Sequence, residues 1–423
     1  MTMSDRQLLW NVLTKPAHAE DLQHLDGPTL QRLAQLAEDQ EVLLPLSEKF
    51  LAAPEHTPDV TERVELRRRN HARAVDQLAQ VDKTLRAAEV PFLMIKGFGY
   101  ERLQPAGYQR QMDDLDLVLP TAADGWRAAA ALLDLGYQFL TTTIARRSWG
   151  WAVAIVLQDE NERDVELNCA GLIFHSYSVL GWDDQLWADQ ETVREVGVPG
   201  KRWAAAILIA EMVDRPQLRL RDRLDARAVL SRLDKDDLDW LDALSRRCSL
   251  DWELAAAKDT ETDDVDFEAN RTLRLRRRMP NVFRAATHVL PIVRRNSGLV
   301  EGIRAAGVAL SRDKLGDVLE ADEDMDSVSE RTLAWSGRAA AALNHRPAKD
   351  QLAAGASLPM VPLGIDDDAP RNGTPVGPVV DDVTVYEAGR GLVLDTPIGA
   401  FLSVMIPVVT EEQVDEAVAA VTG

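Results

Sequence analysis

Residues 114–120 read Asp-Leu-Asp-Leu-Val-Leu-Pro, and this segment constrains the fold more tightly than any other in the 423-residue chain. Strict alternation ended by proline predicts a β-strand, whose successive side chains point to opposite faces. Asp114 and Asp116 then share one face, while Leu115, Leu117 and Leu119 occupy the other. The leucines can anchor a core while two carboxylates project together. Two such anions repel, and one takes a proton unless a cation neutralises them. A hard, oxygen-ligated ion such as Mg²⁺ is the natural counter-charge.

Two flanking segments extend the pattern. Upstream, Val90-Pro-Phe-Leu-Met-Ile-Lys-Gly97 is an apolar run ending in Lys96 and Gly97, which predicts a buried strand and a turn. Glycine lets phosphate oxygens approach main-chain N–H groups, and a lysine there neutralises phosphate charge. Downstream, Asp164-Val-Glu-Leu-Asn168 alternates again, with Asp164, Glu166 and Asn168 on one face. A neighbouring strand would bring Glu166 beside the aspartates, and three convergent carboxylates can hold two divalent ions. Taken singly, an Asp-x-Asp or a Lys-Gly is commonplace; the signal is the combination.

Periodicity divides the chain into five stretches. Residues 1–89 are a helical region, with leucines at spacings of three and four and a long amphipathic helix from about Thr61 to Ala88. In that helix Val64, Val75, Leu78 and Leu85 point inward, and Arg67, Arg68 and Arg69 form a solvated face. Residues 90–175 read strand, loop, strand, helix and three strands, an α+β core with a small mixed sheet and helices against one face. Residues 176–344 read as a helical domain. Residues 345–380, rich in proline and glycine, read as a mobile linker. Residues 381–423 read as a small β-hairpin and helix: two apolar runs flank Gly389-Arg390-Gly391, and Thr410-Glu-Glu-Gln413 is a capping box. This tail is expected to supply a partner surface and no catalytic residue.

Composition narrows the function. With 48 basic and 69 acidic residues the net charge is -21, and such a field works against polynucleotide partners. Cys169 and Cys248 are too few for a disulfide framework or a cysteine-based zinc site, which fits a reducing cytoplasm. The start, MTMSDRQLLW, lacks the features of a signal peptide, and no apolar run is long enough to span a bilayer. Asp322–Asp326 resembles the start of a calcium loop but has Ser327 where glycine is needed. Arg271–Arg278 balances an adjacent acidic run. His175, Cys169, Trp182, Trp187 and Trp203 read as structural.

Together, the Lys-Gly turn, Arg110 a few residues before the Asp-x-Asp strand, a following helix that ends Leu135-Gly-Tyr137 and the Asp164–Asn168 strand resemble the polymerase-β nucleotidyltransferase superfamily. The match is nearest to the family labelled uncharacterised nucleotidyltransferase. The resemblance covers roughly residues 1–250, with its specific part between Val90 and Asn168. It implies a polymerase-β-like core that moves an NMP group from an NTP to an acceptor and releases pyrophosphate. It implies Asp114, Asp116 and Glu166 as catalytic and metal-binding, with two Mg²⁺ ions or Mn²⁺, and Lys96, Gly97 and Arg110 on the phosphate side. Glu166 reaches one methylene farther than the family's commoner aspartate, and Asn168 stands where histidine is frequent. The acceptor is a small molecule, a peptide or a protein. The alternative is a catalytically weak or inactive transferase fold that serves as a binding or scaffold protein. In either case Lys96, Asp114, Asp116 and Glu166 should converge at one sheet edge, with residues 98–111 covering part of the cleft.

Overall fold

A computed structural model describes residues 5–15, 18, 20–105, 108–147, 150–174, 178–181, 184–212, 218–248, 250–259, 348, 352, 357–365, 369–389, 391–403 and 411–423. The acidic stretch after Asp259, Asp322–Asp326, Arg271–Arg278, His175 and Trp182 lie outside the described residues.

The chain begins with helices α1 (Asp5–Thr14), α2 (Gly27–Asp39), α3 (Leu43–Ala52) and α4 (Pro58–Ala87). Asp26 and Thr57 cap α2 and α4 by accepting the N–H of Thr29 and Val60, each with proline in the first turn. Val64, Leu78 and Leu85 are buried as expected; Val75 packs against the core of Leu78 and Leu85, and Val64 joins the core of the N-terminal helices. The basic face of α4 is only partly solvated. Arg67 pairs with Glu38 at 2.6 Å, and Arg68 pairs with Glu65 at 2.9 Å and with Glu48.

Next come β1 (Leu93–Ile95), α5 (Gly97–Glu101), β2 (Asp114–Leu119), α6 (Ala122–Asp134), β3 (Gln138–Arg147), β4 (Gly150–Gln158) and β5 (Asp164–Cys169). Their spatial order is β1-β2-β5-β4-β3; β2 and β5 are parallel and the remaining pairs antiparallel. Leu115, Leu117, Leu119, Val165 and Leu167 enter a core shared with α4 and α6. The opposite face carries Leu93, Ile95 and Val118, and these join a second core with α8 (Lys201–Glu211). Helices therefore cover both faces, not one. The apolar residues interleaved with the acids need a cover of their own.

Two short hairpins follow, and all but the first of their strands lie in the stretch from residue 176 expected to be helical: β6 (Gly171–Phe174) with β7 (Ser178–Gly181), then α7 (Asp184–Ala188), then β8 (Gln190–Val193) with β9 (Val196–Pro199). The β8–β9 turn places Arg194 and Glu195 at φ 49 and 70. A turn of this kind is ordinarily signalled by Asn-Gly, so Arg-Glu gave nothing to read. Helices α8, α9 (Leu220–Leu230), α10 (Lys235–Cys248) and α11 (Asp251–Asp259) follow. Trp203 is buried and meets Trp240 edge-on. Among the described residues no helix is long and apolar enough to cross a membrane.

The tail contributes β10 (Ser357–Pro362), β11 (Thr384–Ala388), β12 (Gly391–Thr396), β13 (Gly399–Ser403) and α12 (Glu411–Thr422). The hairpin and helix stand where expected, but the stretch expected as a linker holds β10. That strand pairs with β3 on one side and β13 on the other, so a single nine-stranded sheet runs β1-β2-β5-β4-β3-β10-β13-β12-β11. Pro359 and Pro362 argued against a strand. Burial of Leu358 and Met360, two residues apart in the main core, outweighs the missing donors. The tail is thus continuous with the core. Truncation at Arg346 should strip the edge of β3, uncover Ile144 and its neighbours, and give an aggregating protein. Soluble yield and size-exclusion chromatography check this; a monodisperse product with the parent melting temperature would contradict it.

Candidate active site

Strands β2 and β5 lie side by side in parallel register, with Asp114 opposite Asp164, Asp116 opposite Glu166 and Val118 opposite Asn168. Neighbouring strands are about 4.8 Å apart, so Asp116 and Glu166 are adjacent across the ladder. The acids run from rim to floor: Asp114 is exposed, Glu166 half-buried, Asp116 only 3% exposed and Asn168 1%.

On the other flank of β2, Ile95 of β1 is the ladder partner of Asp116. Lys96 follows at once, and its Nζ donates to Asp116 Oδ1 at 2.7 Å. The backbone turns sharply here, with Lys96 at φ 55 and ψ -138 and Gly97 at φ 30. A non-glycine residue held in such a conformation costs on the order of 1–3 kcal/mol, and this is the kind of strain found at ligand clamps. At Gly97 a Cβ would sit 3.0 Å from Met112 Sδ, so the turn also needs the bare backbone for space.

A fourth acid completes the group. Glu211 Oε1, at the end of α8, lies 2.8 Å from Lys96 Nζ. The sequence reading missed it. Its one signal is an acid closing the apolar run Trp203–Ala210, all of which is buried.

Charges and burial compete here. Burial alone would lower the pKa of Lys96, but Asp116, Glu166 and Asp114 together raise it. Burial pushes Asp116 up to about 6; Lys96 opposes this, and the charge of Glu166 adds to it. Between about pH 4 and 6 the metal-free native state therefore holds a proton on Asp116 that the unfolded chain, with an ordinary carboxylate, has released. Stability should fall as pH rises from about 4 to 6 and stay lower above that, by on the order of 2–3 kcal/mol. Urea unfolding in chelator at pH 4.5 and 7 tests the sign: the amount by which Asp116 destabilises the protein relative to Asp116→Asn should be smaller at pH 4.5 than at pH 7.

Arg110 goes elsewhere. Its Nε donates to Asp225 Oδ2 of α9 at 3.0 Å, with both side chains almost fully buried. Burial would lower its pKa, but the charge of Asp225 raises it. The segment expected to cover a cleft contains α5 and is tied to the helical domain. Gln104 donates to Asp225 at 3.2 Å, Arg102 to the Pro199 carbonyl at 2.8 Å, and Arg232 to the Leu103 carbonyl at 3.0 Å.

The structure thus gathers Lys96, Asp116 and Glu166, puts Asp114 on the same strand face at the rim, and turns Arg110 to Asp225. Among the described residues no three of His, Cys, Asp and Glu close on one point at ligand distance. The ammonium of Lys96 supplies the counter-charge at Asp116. The all-carboxylate donor set nevertheless fits a hard divalent cation.

A mixed sheet with an Asp-x-Asp strand parallel to a second acidic strand, and a lysine–glycine turn on its other flank, is the arrangement that the resemblance to nucleotidyltransferases implies. The chain belongs to the family described as uncharacterised nucleotidyltransferase, whose sequence model matches residues 26–258. No curated protein matches the chain. Among solved structures it is similar to the antibiotic-resistance factor ANT(2'')-Ia in solution, at 14% identity and TM-score 0.31, covering 45% of this chain and 97% of that one. The crystal structure of ANT(2'')-Ia with adenylyl-2''-tobramycin gives 13%, 0.30, 41% and 97%. A nucleotidyltransferase-like protein from Paracoccidioides brasiliensis gives 16%, 0.24, 45% and 93%. These TM-scores are all below 0.5, and family membership does not rest on them.

Proposed function

We propose that the protein transfers an NMP group from an NTP to an acceptor other than nucleic acid (a small molecule, a peptide or a protein) and releases pyrophosphate. One observation carries the reading: in a chain of this family, β2 and β5 set Asp116 against Glu166 while Lys96 reaches Asp116 from β1.

Asp114, Asp116 and Glu166 would hold divalent cations, Mg²⁺ or Mn²⁺. Such ions, when bound, neutralise triphosphate charge and lower the pKa of an acceptor hydroxyl. Lys96 supplies a cation for the triphosphate oxygens at the strained turn, and Gly97 leaves main-chain N–H groups open to them. The acceptor oxygen attacks the α-phosphorus, the bond to the bridging oxygen of pyrophosphate breaks, and the acceptor proton passes to Glu166. Arg110 acts at one remove, bracing the loop before β2 through Asp225. The charge of -21 favours an acceptor that is not a polyanion.

Calorimetry with each of the four Mg-NTPs tests the reading, followed by a pyrophosphate-release assay on acceptor pools. Binding of at least one NTP below about 1 mM, a typical substrate level, is the expected result. Absence of heat with all four, in Mg²⁺ and in Mn²⁺, would end the proposal.

A further inference from the structure

Glu211 is 8% exposed and closes a helix that is otherwise buried and apolar from Trp203 onward. A carboxylate in such a place is expensive unless it is paired. A cation it meets is Lys96, at 2.8 Å, the same ammonium that lies 2.7 Å from Asp116. One lysine thus bridges two buried acids from different elements, β2 and α8, and Asp116 is in addition the ladder partner of Glu166.

The consequence follows from charge alone and rests on the metal reading given above. A divalent cation drawn to Asp116 repels the ammonium already there. If Asp116 were the sole partner of Lys96, metal entry would strand a part-buried cation beside the ion. A second carboxylate changes that: Lys96 can give up Asp116 and keep Glu211. Lys96 already lies within 2.8 Å of both acids, so giving up Asp116 leaves the contact with Glu211 formed.

We propose that Glu211 is a positioning residue for metal loading. It retains Lys96 when Asp116 turns to a divalent cation, so that the ammonium vacates the metal position yet stays at hand for the triphosphate.

The test uses Mn²⁺ alone, without nucleotide, titrated into the full chain and read by electron paramagnetic resonance of free Mn²⁺. Lys96→Met removes the competing cation and should tighten Mn²⁺ by about 10-fold. Glu211→Gln, with Lys96 present, should weaken it by about 10-fold, in keeping with charges a few Å apart in a partly buried site. Glu211→Asp should recover most of the loss. In the Lys96→Met background Glu211→Gln should change affinity by less than about 3-fold, because the lysine it serves is gone. Wild-type binding with Glu211→Gln unchanged overturns the inference. So does an equal loss in both backgrounds, which would make Glu211 a ligand or a distant charge. If Glu211→Gln does not fold by circular dichroism, Lys96→Met decides: tighter binding supports the inference, and equal or weaker binding overturns it. A wild type that binds no Mn²⁺ at millimolar concentration rejects the metal reading itself, a failure distinct from the others.

Discussion

Asp114→Ala should lower NMP transfer by at least about 10³-fold while leaving the fold nearly untouched. Three decades correspond to roughly 4 kcal/mol of transition-state stabilisation, within what a bound metal supplies. Asp114 is the exposed member of the acid group, at the rim of β2, whereas Asp116 is buried. Removing a rim carboxylate should shift unfolding free energy by no more than about 1 kcal/mol. Activity and stability therefore separate at this position, as they would not at Asp116. Turnover by pyrophosphate release and urea unfolding on the same preparation provide the check. Transfer at the parent rate would favour the scaffold reading, in which the acids are relics of the fold.

Asp225→Ala should be among the most destabilising single changes in the chain, at about 3–5 kcal/mol. Arg110 and Asp225 are 5% and 1% exposed, so solvent screens the pair little. Asp225 also accepts from Gln104, and both donors sit on the connection between α5 and β2. Its loss leaves a buried guanidinium without its carboxylate and unties the loop from α9. The double change Arg110→Met with Asp225→Leu should recover much of the loss, because the charge and its partner leave together. Chemical denaturation of the two variants makes the comparison. A cost below about 1 kcal/mol for Asp225→Ala would mean that the pair is dispensable.

The legible parts were those governed by local pattern. Alternation in 114–119 and 164–168 marked two strands and told which side chains share a face, since period-two geometry leaves no choice. Other local patterns, an apolar run for β1, helical periodicity for α4, a Gly-Arg-Gly turn for the tail hairpin and a capping box for the last helix, located those elements. The misread parts share a cause. β10 looked like linker because proline content speaks against a strand, and only a partner edge on β3 makes Leu358 and Met360 worth burying there. The hairpin β8–β9 had no glycine or asparagine at its turn to announce it.

By itself, then, the sequence determined that a two-carboxylate strand, a second acidic strand and a lysine–glycine turn exist, and which side chains of each strand lie together. Tertiary structure decided their company. Parallel pairing of β2 with β5 chose Glu166 as the neighbour of Asp116 over Asp164, two residues away on the same face. The packing of α8 brought Glu211 to Lys96 across 115 residues of chain, and α9 claimed Arg110 through Asp225. Strand alternation is a property of one segment and can be read from it. Which acid meets which cation depends on register and on helix placement, and these are set by how distant apolar surfaces fit together.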